Sequence, residues 1–317
     1  MSPAEPFISI CIPAFKRPEN INNLLRSISV QTYTNYEIII TDDSPDDSLA
    51  AVLQKYAHLP ISYYKNSTPL GTPANWNYGI SKAKGQWIKL MHDDDWFATE
   101  ACLKTFANKA QNGNQFIFSG YNTVSAESGA IKKMSFPSIW EKRILRNPFT
   151  LLAWNIIGPP SVTLVHHSIK EQYDTAMKWR VDIDFYVRLL YKGKAFTYIN
   201  EPLINVGISG SQVTNYCINQ PEVELPEGLL LLQKYGIAPL KNILVYDTWW
   251  RIIRNVGVRN VSQLSRYTKL EDWPMVILKM VQLQSFIPAS VLKVGLFSKA
   301  CMLFSYFINY SHLNRYK

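Results

Sequence analysis

Trp87-Ile88-Lys89-Leu90-Met91-His92-Asp93-Asp94-Asp95 sets an apolar run of strand length directly against three consecutive aspartates. A short apolar run bounded by polar residues reads as a buried strand. The same pattern recurs upstream. Residues 73–83 read as a helix and 61–65 as a strand. Glu37-Ile38-Ile39-Ile40-Thr41 reads as a strand ending in Asp42-Asp43-Ser44, with a helix following through Leu49, Val52, Leu53 and Tyr56. Nearer the N-terminus, Phe7-Ile8-Ser9-Ile10-Cys11-Ile12 is a strand stopped by Pro13. Ile21, Leu24, Leu25 and Ile28 then fall at i, i+3, i+4, i+7 behind Pro18, which suits a first helical turn. Downstream, Leu103, Phe106, Ala107 and Ala110 mark one more helix.

Four strand-then-helix units in about 110 residues predict an α/β fold, with a mostly parallel central sheet and helices on both faces. In such sheets ligands bind beyond the carboxyl ends of the strands. Both acidic clusters, Asp42-Asp43 and Asp93-Asp94-Asp95, are expected there, facing one crevice. From about 115 to 207 the pattern turns mixed. Phe116-Ile117-Phe118 and Val162-Thr163-Leu164-Val165 read as strands, and Ile183, Tyr186, Val187 and Leu190 as a helix. Beyond 220 the chain becomes mainly helical and basic, with Pro221 and Pro226 as punctuation. The expected organisation is a domain over 1–220, its halves dividing near 112, and a helical region over 221–317.

The chain has 317 residues and a net charge of +9, and its location is informative. From Gln233 to Lys317 there are twelve Lys or Arg against three acids, whereas residues 1–232 hold 21 of each sign. The excess therefore points to an anionic surface or partner for the C-terminal quarter alone. Four scattered cysteines give no Cys-x-x-Cys pair, which argues against a zinc cluster or disulfide framework and for a reducing, cytoplasmic setting. No signal segment is read at the N-terminus.

Three adjacent aspartates raise each other's pKa unless a cation neutralises them, and a hard divalent ion takes carboxylate and phosphate oxygens together. The competing reading is an acidic helix cap. Asp42-Asp43-Ser44 admits the same two readings, cap or ligand contact. His166-His167 would point to opposite faces of a strand and is assigned no chemistry.

In combination these blocks resemble the family-2 glycosyltransferases of the GT-A fold, over roughly the first 210 residues. Ser9-Ile10-Cys11-Ile12-Pro13-Ala14-Phe15-Lys16-Arg17 is similar to the family's opening strand and loop. The segment from Gln31 to Ser44 resembles its second block, and Asn66, Gly71 and Asn77-Tyr78-Gly79-Ile80 its third. His92-Asp93-Asp94-Asp95 resembles the signature acidic motif. The resemblance implies a donor site of Pro13, Phe15, Arg17, Asp42, Asn66, Gly71, Asn77, Asp93 and Asp94, with Asp42 on the nucleotide base. It implies a divalent metal, Mn²⁺ or Mg²⁺, held by Asp95 and Asp93. Trp179-Arg180-Val181-Asp182-Ile183-Asp184 is similar to the segment supplying the catalytic base, which makes Asp182 the base. Two departures stand out: Val181 occupies a position where many relatives have Glu, and 202–208 lacks the Arg and His that many relatives carry after a Pro-Leu strand. A histidine ligand therefore has no obvious counterpart.

The resemblance implies an inverting hexosyl- or N-acetylhexosaminyltransferase, with a UDP-sugar favoured as donor. Its acceptor would be a saccharide, on a polyprenyl lipid carrier, in surface-polysaccharide assembly of the O-antigen kind. Two other readings stay open: a nucleotidyltransferase, although 13–17 has no glycine for a phosphate loop, and a non-catalytic membrane-surface or nucleic-acid-binding protein. Residues 286–310 are strongly apolar but interrupted by Lys293 and Lys299, too charged for a spanning helix. They fit a helix on an anionic membrane surface, on the inner face of the cell membrane, or one packed on the protein. Nucleic acid is not expected, because no binding motif accompanies the basic residues.

Overall fold

β1 (Ile8–Ala14) and β2 (Tyr36–Asp42) pair in parallel, with Ile10 opposite Ile38 and Ala14 opposite Asp42. In the computed structural model, which describes residues 5–110, 113–193, 195–210 and 213–314, they lie side by side toward one edge of a nine-stranded sheet. α1 (Pro18–Ser29) connects them, with Pro18 in its first turn and Ile21, Leu24, Leu25 and Ile28 buried. These are the residues whose spacing predicted it.

The chain then runs through α2 (Ala50–Lys55), β3 (Ile61–Lys65), α3 (Ala74–Ser81) and β4 (Trp87–Leu90). β3 lies outside β2, whereas β4 returns to the other side of β1, so the order β3-β2-β1-β4 reverses between β1 and β4. All three pairings are parallel. All four β4 residues are buried, as expected for a central strand covered on both faces.

Beyond β4 the sheet becomes mixed, because its connections are no longer uniform crossovers. β5 (Asp95–Phe97), α4 (Cys102–Ala110), β6 (Phe116–Ser125), β7 (Ile131–Met134), α5 (Ser138–Arg146), β8 (Thr163–His166), α6 (Val181–Tyr191) and β9 (Thr197–Ile208) follow. β8 is antiparallel to both β4 and β6, and β9 is parallel to β6. A register shift at Ser119 and Gly120 bends the β6–β9 ladder. The far half of β9 thereby pairs with β5, setting Val206 opposite Asp95.

The chain divides into two compact units. The first comprises Met1–Leu145, Ile156–Thr175 and Arg188–Gly210; the second comprises Arg146–Asn155, Ala176–Val187 and Ser211–Lys317. The second unit thus joins the C-terminal helical segment to two segments from the middle of the chain. It contains α7 (Val213–Cys217), α8 (Pro221–Tyr235), α9 (Ile243–Asn255), α10 (Val261–Leu264), α11 (Met275–Ser285), α12 (Ala289–Lys293) and α13 (Gly295–Asn314). Pro226, read in the sequence as punctuation, lies inside α8. Leu225, Glu227, Gly228 and Leu229 are buried around it, and that packing offsets the hydrogen bond a helical proline removes.

Candidate active site

The acidic residues leave β4 in a tight turn closed by the Asp95 amide donating to the His92 carbonyl at 3.2 Å. Successive side chains of such a turn diverge. Asp93 is directed to Arg17, whose Nη1 lies 3.5 Å from Asp93 Oδ1 and 3.8 Å from Asp94 Oδ2. His92, Asp94 and Asp95 converge instead, one ligand atom from each lying within 4.8 Å of the others. The sequence reading sets Asp93 with Asp95; the side chains whose atoms converge with Asp95 among the described residues are those of Asp94 and His92.

Burial sets the electrostatics. Asp95 is held well above the ordinary carboxylate range by burial and then by the neighbouring Asp94 charge, opposed by the Ser161 hydroxyl and the Gly207 amide. Burial and then Asp94 push Asp93 up to about 7, against Arg17. His92 is lowered, chiefly by burial. Asp95 Oδ2 and His92 Nε2 are buried and have no hydrogen-bond partner among the described residues. Buried polar atoms are rarely left so. Two orphaned acceptors beside a second carboxylate are what a divalent cation would satisfy, and the oxygen-plus-imidazole set suits Mn²⁺.

Residues invisible to motif reading hold this turn. Ser161 Oγ accepts from the His92 amide at 2.9 Å. Gly207 donates to the Asp94 carbonyl at 3.2 Å, and a Cβ there would lie 2.4 Å from that oxygen. Only glycine fits there, within the 202–208 segment that lacks Arg and His. Lys89, buried in β4, donates to the Ser161 carbonyl and, at 3.2 Å, to that of Thr163. Burial pushes its ammonium down to about 7.

At the exits of β1 and β2 the predicted donor residues take different places. Pro13 lies in β1 opposite Thr41. Phe15 is 49% exposed, with Lys16 Nζ 5.1 Å from its ring centre. Asp42 is fully buried: Oδ1 accepts from the Ser44 amide at 2.8 Å, and Oδ2 from Tyr63 Oη at 2.7 Å and Lys65 Nζ at 3.0 Å. Asp43 gathers two predicted residues, Asn66 through Nδ2 at 2.7 Å and Gly71 through its amide at 2.8 Å. Asn77 is tied to the Tyr173 backbone through both ends of its amide, at 2.7 and 2.9 Å. That engagement makes Asn77 a brace within the first unit.

In the second unit, Asp182 lies in the first turn of α6, where acidic residues are favoured. Burial pushes it up to about 7, against hydrogen bonds from the Ile183 amide at 2.8 Å and Asn155 Nδ2 at 2.7 Å. Its approach is clamped from α8. Glu227 accepts from the amides of Lys178, Trp179 and Arg180 at 2.7, 3.1 and 2.9 Å, and Glu224 pairs with Arg180 at 3.0 Å. Asp184 is fully buried and held by Lys234 at 2.9 Å and Tyr235 Oη at 2.7 Å, which gives it a structural role.

A switch point in an open α/β sheet marks the crevice where ligands bind, here with a carboxylate cluster at the strand ends around it, and the architecture is that of the GT-A fold. The same fold occurs in Staphylococcus aureus TarS 1-349 in complex with UDP-GlcNAc, with a TM-score of 0.58 at 14% identity over 94% of this chain and 89% of that one. It also occurs in the mannosyltransferase PcManGT from Pyrobaculum calidifontis in complex with GDP-Man and Mn²⁺, with a TM-score of 0.53 at 12% identity over 97% and 87%. Residues 9–170 match the family model described as glycosyl transferase family 2, and the chain belongs to that family. An uncharacterized glycosyltransferase of Haemophilus influenzae is 31% identical over 62% of this chain and 66% of its own length. A GalNAc(5)-diNAcBac-PP-undecaprenol beta-1,3-glucosyltransferase of Campylobacter jejuni is 29% identical over 41% of this chain and 42% of its own. Family membership leaves the nucleotidyltransferase and non-catalytic readings without support.

Proposed function

We propose that this chain transfers a hexosyl or N-acetylhexosaminyl residue, with inversion, from a nucleoside-diphosphate donor to a saccharide hydroxyl. A UDP-sugar is the favoured donor. The observation that carries the reading is the acidic turn after β4, where Asp95 Oδ2 and His92 Nε2 are buried without partners beside Asp94. A divalent cation bound by Asp95, Asp94 and His92 would supply counter-charge to the departing diphosphate. Arg17, beside Asp93 and Asp94, is positioned to neutralise phosphate oxygens from the protein side. The exposed Phe15 ring offers a stacking face for the base. Asp42, with both oxygens engaged, acts here by holding Tyr63 and Lys65.

Asp182 is the general base that takes the acceptor proton as the hydroxyl attacks the anomeric carbon. Its pKa, raised by burial to about 7, matches that task near neutral pH. The acceptor is proposed to be an oligosaccharide on a polyprenyl diphosphate, at the inner face of the membrane, in surface-polysaccharide assembly of the O-antigen type. The Campylobacter relative's undecaprenol substrate supports that choice.

The test is turnover of UDP-, GDP- and dTDP-sugars with Mn²⁺ and a polyprenyl-diphosphate saccharide, the product's anomeric configuration being read by NMR. One donor class should be consumed and the linkage inverted. Retained configuration, or no consumption of any donor, would contradict the proposal.

A further inference from the structure

α13 is held by polar anchors on its inner face and carries apolar side chains on its outer one. Its buried face mixes apolar side chains, Met302 and Leu313 among them, with three polar anchors: Ser298 accepts from Trp250 Nε1 at 3.1 Å, Ser305 meets Tyr246 Oη at 2.8 Å, and Asn309 donates to Tyr246 Oη at 3.1 Å. Its outer face is apolar. Leu296 is 81% exposed, Phe297 59%, Phe304 59%, Phe307 69% and Ile308 54%, with Leu303 among them. At about 100° per residue these side chains share one continuous sector roughly 140° wide. The buried hydrogen bonds fix which face points outward, so the apolar sector cannot be hidden by rotating the helix.

A contiguous apolar face of this kind marks an interaction surface. Its charge setting selects the partner. The segment from Gln233 to Lys317 carries the chain's whole net charge of +9. Lys293, at the end of α12, and Lys299, bordering the sector, are both exposed. Asp247, an acid in that segment, already lies 2.9 Å from Lys299 Nζ and 3.3 Å from Arg251 Nε. A second copy would bring two such cationic segments together, whereas an anionic lipid surface neutralises them while covering the apolar side chains. Among the described residues no helix is long and apolar enough to cross a membrane.

We infer that the outward face of α13 is a membrane-docking surface, which seats its phenylalanine and leucine side chains among the acyl chains of an anionic bilayer. The purpose, delivery of the enzyme to a lipid-carried acceptor, rests on the function proposed above. The docking does not, so the two fail separately.

The full chain is sedimented with phosphatidylcholine vesicles and with phosphatidylcholine:phosphatidylglycerol vesicles at about 7:3. It should partition at least about tenfold more strongly into the anionic vesicles, and the Phe304→Ser/Phe307→Ser variant should lose about that factor. The variant's circular dichroism and melting midpoint should be unchanged, since both rings are more than half exposed. Absence of partitioning, equal partitioning into both vesicles, or a variant that binds like the wild type would overturn the inference. So would a wild-type dimer that the variant converts to monomer, which would assign the face to a second copy. Nucleotide binding measured on the same samples reports separately on the transferase site.

Discussion

Asp182 is a carboxylate whose environment opposes its charge, and two measurable consequences have opposite signs. In the folded chain it titrates near 7 against an ordinary value of 3.8. In the proposed role of base it works only when ionised, so kcat/KM should rise with pH through about 7 and then level. Asp182→Asn should remove that limb and lower kcat by about 10²–10⁴-fold. For stability, the folded state binds the proton more tightly than the unfolded state between those two values. This group's contribution is therefore most favourable at low pH and is lost as pH rises through 7. Asp182→Asn should accordingly raise the melting midpoint relative to the wild type at pH 8, and by less at pH 5. Gly207 makes the opposite kind of prediction, since a methyl group there would meet the Asp94 carbonyl at 2.4 Å. Gly207→Ala should destabilise by about 1–3 kcal/mol and abolish Mn²⁺ binding measured by titration, because the acidic turn must move. The aspartates were legible as a cluster, but not which of them converge. His92 reads in the sequence only as the residue before the aspartates, and 202–208 has no histidine but the glycine that closes the turn.

α1, β1, β2 and β4 could be read directly, because each is a short apolar pattern of the right period between polar or proline boundaries. The elements that support the site could not. α8 reads as a leucine-rich helix with two prolines. Nothing local indicates that Glu224 and Glu227 will be buried against residues more than forty positions earlier. Glu227 is nevertheless the acceptor for three successive amides just before Asp182. Glu227→Ala should cost about 1–3 kcal/mol for each buried amide left unsatisfied. It should also lower kcat more than it raises KM for donor, and it should shift the pH limb, which a purely structural role would leave in place. Glu227→Gln, keeping one acceptor oxygen, should recover part of both losses. α13 was legible as apolar, but periodicity alone gives no direction. The long-range contacts of the buried serines, Asn309, Met302 and Leu313 show which face points outward.

Across the whole chain, charge and chemistry are divided by region. The neutral first 232 residues carry the acidic turn and its supports, while the final segment carries the excess positive charge. Parallel pairing was predicted where strand and helix alternate, and it holds from β3 to β4. The antiparallel β8 and the bent β6–β9 ladder depend on long-range pairing that composition does not encode. The central claim is that the turn after β4 is a metal-dependent nucleotide site, and calorimetric titration of UDP, GDP and dTDP with and without Mn²⁺, on the wild type and on Asp95→Ala, tests it most directly. One nucleotide should bind only with Mn²⁺, and the substitution should abolish that binding. Metal-independent binding, or full binding by Asp95→Ala, would contradict the claim.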